Sequence, residues 1–222
     1  MADFSKAHRE VMGNEGGYAN NPADTGGETY KGIARKHHPS WAGWVFIDKA
    51  KKTVTKQPAY GTSSWREWVR QFNAVLQCDN TLQGWVLSFY RANFWDANRC
   101  GDVVDQRVAT WLYDHVVNAG GRGAKWMQEA AGVKADGAIG PKSIAAINAA
   151  DPAQLLQEAE DVAAFYRLDR AVADASQIQF LPSWLRRDGV SKAEIDQVMK
   201  AAKDGLTYAE AVALKSMIQA TA

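Results

Sequence analysis

Apolar positions recur at helical spacing through most of this chain. Phe4, Ala7, His8, Val11 and Met12 share one face and predict a first helix over 3–15, stopped by Gly16-Gly17. Residues 18–32 are rich in Asn, Pro, Asp, Gly and Thr, a turn-forming composition with room for short extended pieces at most. Residues 34–75 are mixed and broken by Pro39 and Pro58, with a helix predicted near 64–77. Beyond them the helical period dominates. Leu82, Trp85, Val86, Phe89, Tyr90 and Phe94 form one stripe. Val104, Val108, Trp111, Leu112, Val116 and Ala119 form another, ended by Gly120-Gly121, and this is the best candidate for a central buried helix.

A short helix near 123–131 follows, then the turn Asp136-Gly137 and a helix opened by Pro141 at its first position. Asp151-Pro152 opens a longer one, with Leu155, Ala159, Val162, Ala163 and Tyr166 on one face. Ser191 with Glu194, and Thr207 with Glu210, are capping-box pairs on either side of Gly205, so the tail reads as a helical hairpin. The expected fold is therefore mainly α, with a small irregular or β lobe near residues 16–33. With no linker or repeat in view, three regions are expected: 1–98, then 99–187 packed into the same core, then the extension 188–222.

Composition adds limits. Of the residues, 46% are hydrophobic, enough for a real core, and the net charge is only +1, which argues against nucleic acid as a partner. One basic stretch stands out: Lys49, Lys51, Lys52, Lys56, Arg66 and Arg70 face only Glu67 between positions 49 and 70. It reads either as a solvated face or as a surface that approaches an anionic polymer or membrane. Nine tryptophans suit packing first, and flat sugar faces second. Cys78 and Cys100 are too few for a disulfide scaffold and are expected as reduced, non-catalytic thiols. His37-His38 point apart, with no third ligand at zinc spacing, so no metal site and no cofactor are expected. No window approaches the ~20 apolar residues that span a bilayer. The start MADFSKAHREVMGNEGG lacks a signal-peptide pattern, so synthesis in the cytoplasm without membrane insertion is expected.

The chemistry concentrates in one segment, Glu15-Gly-Gly-Tyr18 through Asp24, Gly26-Gly27-Glu28-Thr29-Tyr30 and Gly32-Ile33. Glu15 ends the first predicted helix, where the partial negative charge of the helix terminus favours a retained proton. Gly16 and Gly17 would let a bulky ligand approach. Asp24 lies nine positions on and Thr29 five beyond it, and the intervening turn can fold all three to one cleft. A protonated carboxyl facing a second polar group is the equipment of glycoside hydrolysis. The same residues in a Gly/Asn-rich loop also suit turn formation or calcium binding.

That segment resembles the signature of glycoside hydrolase family 108, the lysozyme-like N-acetylmuramidases of phage endolysins and secretion-associated muramidases. The similarity runs from Glu15 to Ile33, extends to Phe94-Trp95-Asp96, and continues through Asp114-His-Val-Val-Asn118 and Asp136-Gly137 to Phe180–Arg186. The later stretches resemble the predicted peptidoglycan-binding module that accompanies this hydrolase. The resemblance implies Glu15 as catalytic acid, with Asp24 and Thr29 as its partners. Gly17, Tyr18 and Tyr30 beside them, and Asp114 and Asn118 four apart on the central helix, are the candidate substrate contacts. It also implies a monomeric endolysin acting on peptidoglycan glycan strands in the periplasm, released by a holin. A wall-remodelling or wall-binding protein and a lytic transglycosylase are the alternatives.

Overall fold

The computed structural model describes residues 1–12, 16–22, 26–203 and 205–220. The described chain is mainly helical with one small antiparallel sheet, as expected, and it divides into two compact units. One contains His8–Asp96; the other contains Met1–Ala7 and Ala97–Ala222.

The smaller unit takes most of α1 (Phe4–Met12), then strands β1 (Tyr18–Asn20), β2 (Glu28–Tyr30) and β3 (Ile33–Ala34), and helices α2 (Gly43–Thr53), α3 (Ser63–Gln77) and α4 (Asn80–Tyr90). A π-helical turn, Arg91–Asp96, continues α4. The strands are consecutive and antiparallel, in the order β1-β2-β3, with Tyr18 opposite Tyr30 and Ala19 opposite Thr29. The small lobe expected near 16–33 thus takes the β form. Thr62 caps α3 through Trp65 N–H, and Asp79 caps α4 through Thr81 and Leu82 N–H. Their inward faces bury Trp68, Phe72, Leu76, Leu82 and Val86.

The larger unit holds α5 (Gln106–Ala119), α6 (Gly121–Ala130), α7 (Pro141–Ala149), α8 (Pro152–Ala173), α9 (Leu181–Arg187), α10 (Lys192–Ala201) and α11 (Tyr208–Ala220). The stripe predicted as central is α5, which buries Val108 through Tyr113, then His115 and Val116. Gly123 lets α6 cross it closely, because a Cβ there would overlap the His115 backbone. Pro141 and Pro152 open α7 and α8 where their missing N–H costs nothing. Both capping boxes form: Ser191 with Glu194 at α10, and Thr207 with Glu210 at α11. The hairpin α10–α11 lays Ile195, Val198, Leu214 and Ile218 against Leu168, Leu181 and Leu185 of α8 and α9. Each such side chain contributes about 1.5–3 kcal/mol on full burial, so the tail supplies part of this unit's core. Cys78 is exposed and Cys100 buried, and neither is in a disulfide.

Candidate active site

The sheet of the smaller unit carries the motif. Strands β2 and β3 join through Lys31-Gly32, whose φ values of 45° and 77° are those of a type I′ turn. Gly32 meets a second requirement, since a Cβ there would stand 2.8 Å from the Tyr90 hydroxyl. That hydroxyl donates to Lys31 O at 2.6 Å, and Lys31 N–H donates to Gly17 O at 3.1 Å. The hairpin is therefore fastened to α4 on one side and to the Gly-Gly segment on the other.

Side chains alternate along β2. Tyr30 is fully buried, and its hydroxyl accepts from Gln83 Nε2 at 2.9 Å. Tyr18, opposite it, is 3% exposed and packs edge-on against Phe72 at 4.9 Å. Burial pushes both phenols above the usual tyrosine range. Packing is what the structure assigns to both rings. Thr29 sits between them in sequence and so projects from the other face, partly exposed and paired with Ala19 and Ala34.

Glu28 anchors the end of β2. Its carboxylate meets Arg35 Nε at 2.8 Å and the Lys51 ammonium, and Arg35 also forks onto Asp48 at 2.6 and 3.1 Å. The Arg35 guanidinium lies 4.2 Å over the Trp44 ring. These four charges tie β2 and β3 to α2, and the motif had not marked any of them as a group. Lys51 and Arg70, the latter paired with Glu67, account for two of the six cations in the 49–70 stretch.

Gly17 has a packing reason to be glycine. The space a Cβ would take is filled by the Asn73 carboxamide of α3, which also accepts from Tyr18 N–H at 2.6 Å. Gly16 has nothing within 4 Å of its Cβ position. Gly17→Ala should accordingly destabilise the protein by about 1–3 kcal/mol through overpacking and loss of that hydrogen bond. In an Asn73→Ala background the cost should shrink, which thermal melts of the four proteins would read. Equal costs in both backgrounds would remove Asn73 as the cause.

Glu15 and Asp24 lie outside the described residues. Tyr18, Thr29 and Tyr30 come together in the one sheet, with Gly17 just ahead of β1. Asp114 and Asn118 belong to the other unit, on α5. There Asn118 Nδ2 donates to Asp114 Oδ1 at 3.0 Å, and Arg187 Nη1 donates to the same oxygen at 2.7 Å. Burial raises the Asp114 carboxyl above its ordinary range against the pull of Arg187. His38, one of the adjacent pair, turns its ring edge-on to Phe89. Among the described residues no group of three His, Cys, Asp or Glu is placed to hold a metal ion.

Comparison with known proteins bears on this arrangement. A family model described as glycosyl hydrolase 108 matches residues 8–120, just over half of the chain. A second, a predicted peptidoglycan domain, matches residues 122–189. No curated protein matches the chain. A solved structure of Brucella abortus SagA aligns with 98% of this chain and 94% of that one, at 21% identity and a TM-score of 0.45. The strained hairpin and the strand that carries Thr29 fall inside the first matched region, and Asp114 and Asn118 fall near its end. The chain belongs to the glycosyl hydrolase 108 family and is a glycoside hydrolase that acts on peptidoglycan.

Proposed function

We propose that the protein is an N-acetylmuramidase that hydrolyses the β-1,4 bond from N-acetylmuramic acid to N-acetylglucosamine. Glu15 protonates the leaving oxygen. Asp24 and Thr29 hold the attacking water on the opposite sugar face, giving inversion. The observation that carries this reading is the hairpin itself. It fixes β2 by a buried Tyr30 and an ion-paired Glu28, and turns Thr29 outward within the family's matched segment. A hydroxyl on a rigid strand is suited to orienting a water, because little entropy remains to be lost on binding. In this reading the enzyme is a phage-type endolysin. It is made in the cytoplasm and reaches the wall when a holin opens the membrane. No described helix is long and apolar enough to cross a membrane.

Mass spectrometry of digested sacculi tests the reaction. Reducing-end muramic acid supports the muramidase. Anhydro-muramic acid would assign a lytic transglycosylase, and undigested but bound sacculi a wall-binding protein. Asp24→Asn should lose at least about tenfold in kcat, roughly 1.4 kcal/mol of transition-state stabilisation. Thr29→Val, which keeps a β-branched side chain on the strand, should lose less. An Asp24→Asn enzyme as active as wild type would reduce Asp24 to a turn residue.

A further inference from the structure

Lys31 occupies a backbone conformation that suits Gly, Asn or Asp and strains other side chains. Its surroundings hold it there. Its N–H and C=O are both bonded, and its ammonium donates to Gln83 Oε1 at 2.8 Å. Gln83 is in turn fixed by donating to Tyr30 OH and Leu76 O. A strained residue held from every side is a pointer to function.

The ammonium opens onto a groove of about 230 Å³ between α1, the hairpin turn and α4. Arg9 and His8 line it from α1, and Met12, Val86 and Leu87 give it an apolar wall. Among the described residues no acidic side chain lines it, and neither Arg9 nor Lys31 has an ion-pair partner. Burial alone pulls the Lys31 ammonium below its usual range, and it lowers the His8 ring as well, with Lys31 adding to the effect. Among the described residues the Lys31 ammonium makes one hydrogen bond, to Gln83, and it shares the groove with the Arg9 guanidinium, so the groove suits an anion with a small apolar neighbour.

Peptidoglycan offers such a group in one place. Its sugars are N-acetylated and neutral, and the lactyl carboxyl is tied up in the amide to the stem peptide. Its carboxylates therefore sit on that peptide, next to alanine methyl groups. We infer that the Lys31–Arg9 groove binds a stem-peptide carboxylate and makes the enzyme prefer peptide-bearing strands over bare glycan. This rests on the glycan-cleaving reading above for its place beside the scissile bond. Its chemistry rests on the groove alone.

Two measurements on the full chain separate the two. In calorimetry, wild type should bind N-acetylmuramoyl-tripeptide at least about tenfold more tightly than chitotetraose. Lys31→Gly should lose that advantage. It removes the ammonium while relaxing the backbone, so its melting temperature should equal or exceed wild type. Arg9→Met, on an exposed helix position, should weaken binding by a smaller factor. Lys31→Arg should keep it within about threefold. In hydrolysis, the ratio of rates on intact sacculi to strands stripped by amidase, with the freed lactyl carboxyl capped as its methylamide, should exceed one for wild type and fall to about one for Lys31→Gly. Lys31→Gly that binds the muropeptide like wild type would overturn the groove's role. So would a wild-type enzyme that cuts stripped strands as fast as intact ones, and that result would leave the muramidase reading standing. A wild type that cuts neither substrate but binds the muropeptide through Lys31 would sink the reaction and leave the groove.

Discussion

Glu15→Gln is expected to lower hydrolysis of purified peptidoglycan by about 10²–10⁴-fold or more while the protein stays folded. The two side chains match in shape, so packing and backbone conformation have no reason to change. Only the carboxylic proton is lost, and a carboxamide cannot deliver it to a glycosidic oxygen. Without that proton the sugar alkoxide is a poor leaving group, and the oxocarbenium-like transition state rises accordingly. Loss of activity from unfolding would show as a lowered melting temperature, which this variant should not have. Loss of binding would show as failure to sediment with insoluble sacculi, and the variant should still sediment. A Glu15→Gln protein that clears a sacculus suspension at near the wild-type rate would mean that the acid is another residue.

The motif is contiguous, so its residues are neighbours whatever the fold does, and Tyr18, Thr29 and Tyr30 reach one sheet through a register of short strands. Caps are equally local: Asp79, Asp105, Asp151, Ser191 and Thr207 each act within two or three positions, and the helices opened by Asp151, Ser191 and Thr207 start where the pattern placed them. Two helices escaped. α2 buries only Gly43, Trp44 and Ile47 beside a lysine-rich face, too narrow a stripe to outvote Pro39 and Pro58. Only seven residues long, α9 carries Pro182 in its first turn, below the length at which a period shows.

What stayed invisible is long-range. Asn73 reaches Tyr18 across 55 positions, and nothing in an amphipathic helix marks one asparagine as the reason a distant residue must be glycine. Glu28, Arg35, Asp48 and Lys51 read as ordinary surface charges until β2, β3 and α2 meet. A charged residue in a helix looks solvated unless its partner is known, and the partner comes from another element.

The same blindness hid the most consequential charge in the larger unit, Asp188. Its side chain is fully buried at the end of α9. One oxygen lies 3.1 Å from His115 Nε2 of α5, and the other accepts from Arg167 Nε of α8 at 3.2 Å. His115 Nδ1 sits 2.9 Å from Trp111 O, and a carbonyl can only accept, so Nδ1 is the donor there. The His115 ring stacks on Trp111 at 3.6 Å, and the Arg167 guanidinium lies over Trp126 and Trp184 at 4.7 and 5.0 Å. One carboxylate thus joins three helices inside a shell of indoles. Asp188→Asn keeps the shape and removes the only formal negative charge Arg167 touches at hydrogen-bond distance among the described residues. A buried cation stripped of its partner costs about 3–5 kcal/mol. For a chain of this size that lowers the melting temperature by roughly 10 °C. Adding Arg167→Met should recover part of the loss, because the unpaired charge leaves with its side chain. A single Asp188→Asn variant that melts within about 2 °C of wild type, or a double variant no more stable than the single one, would show that the indole shell and water compensate the guanidinium without Asp188.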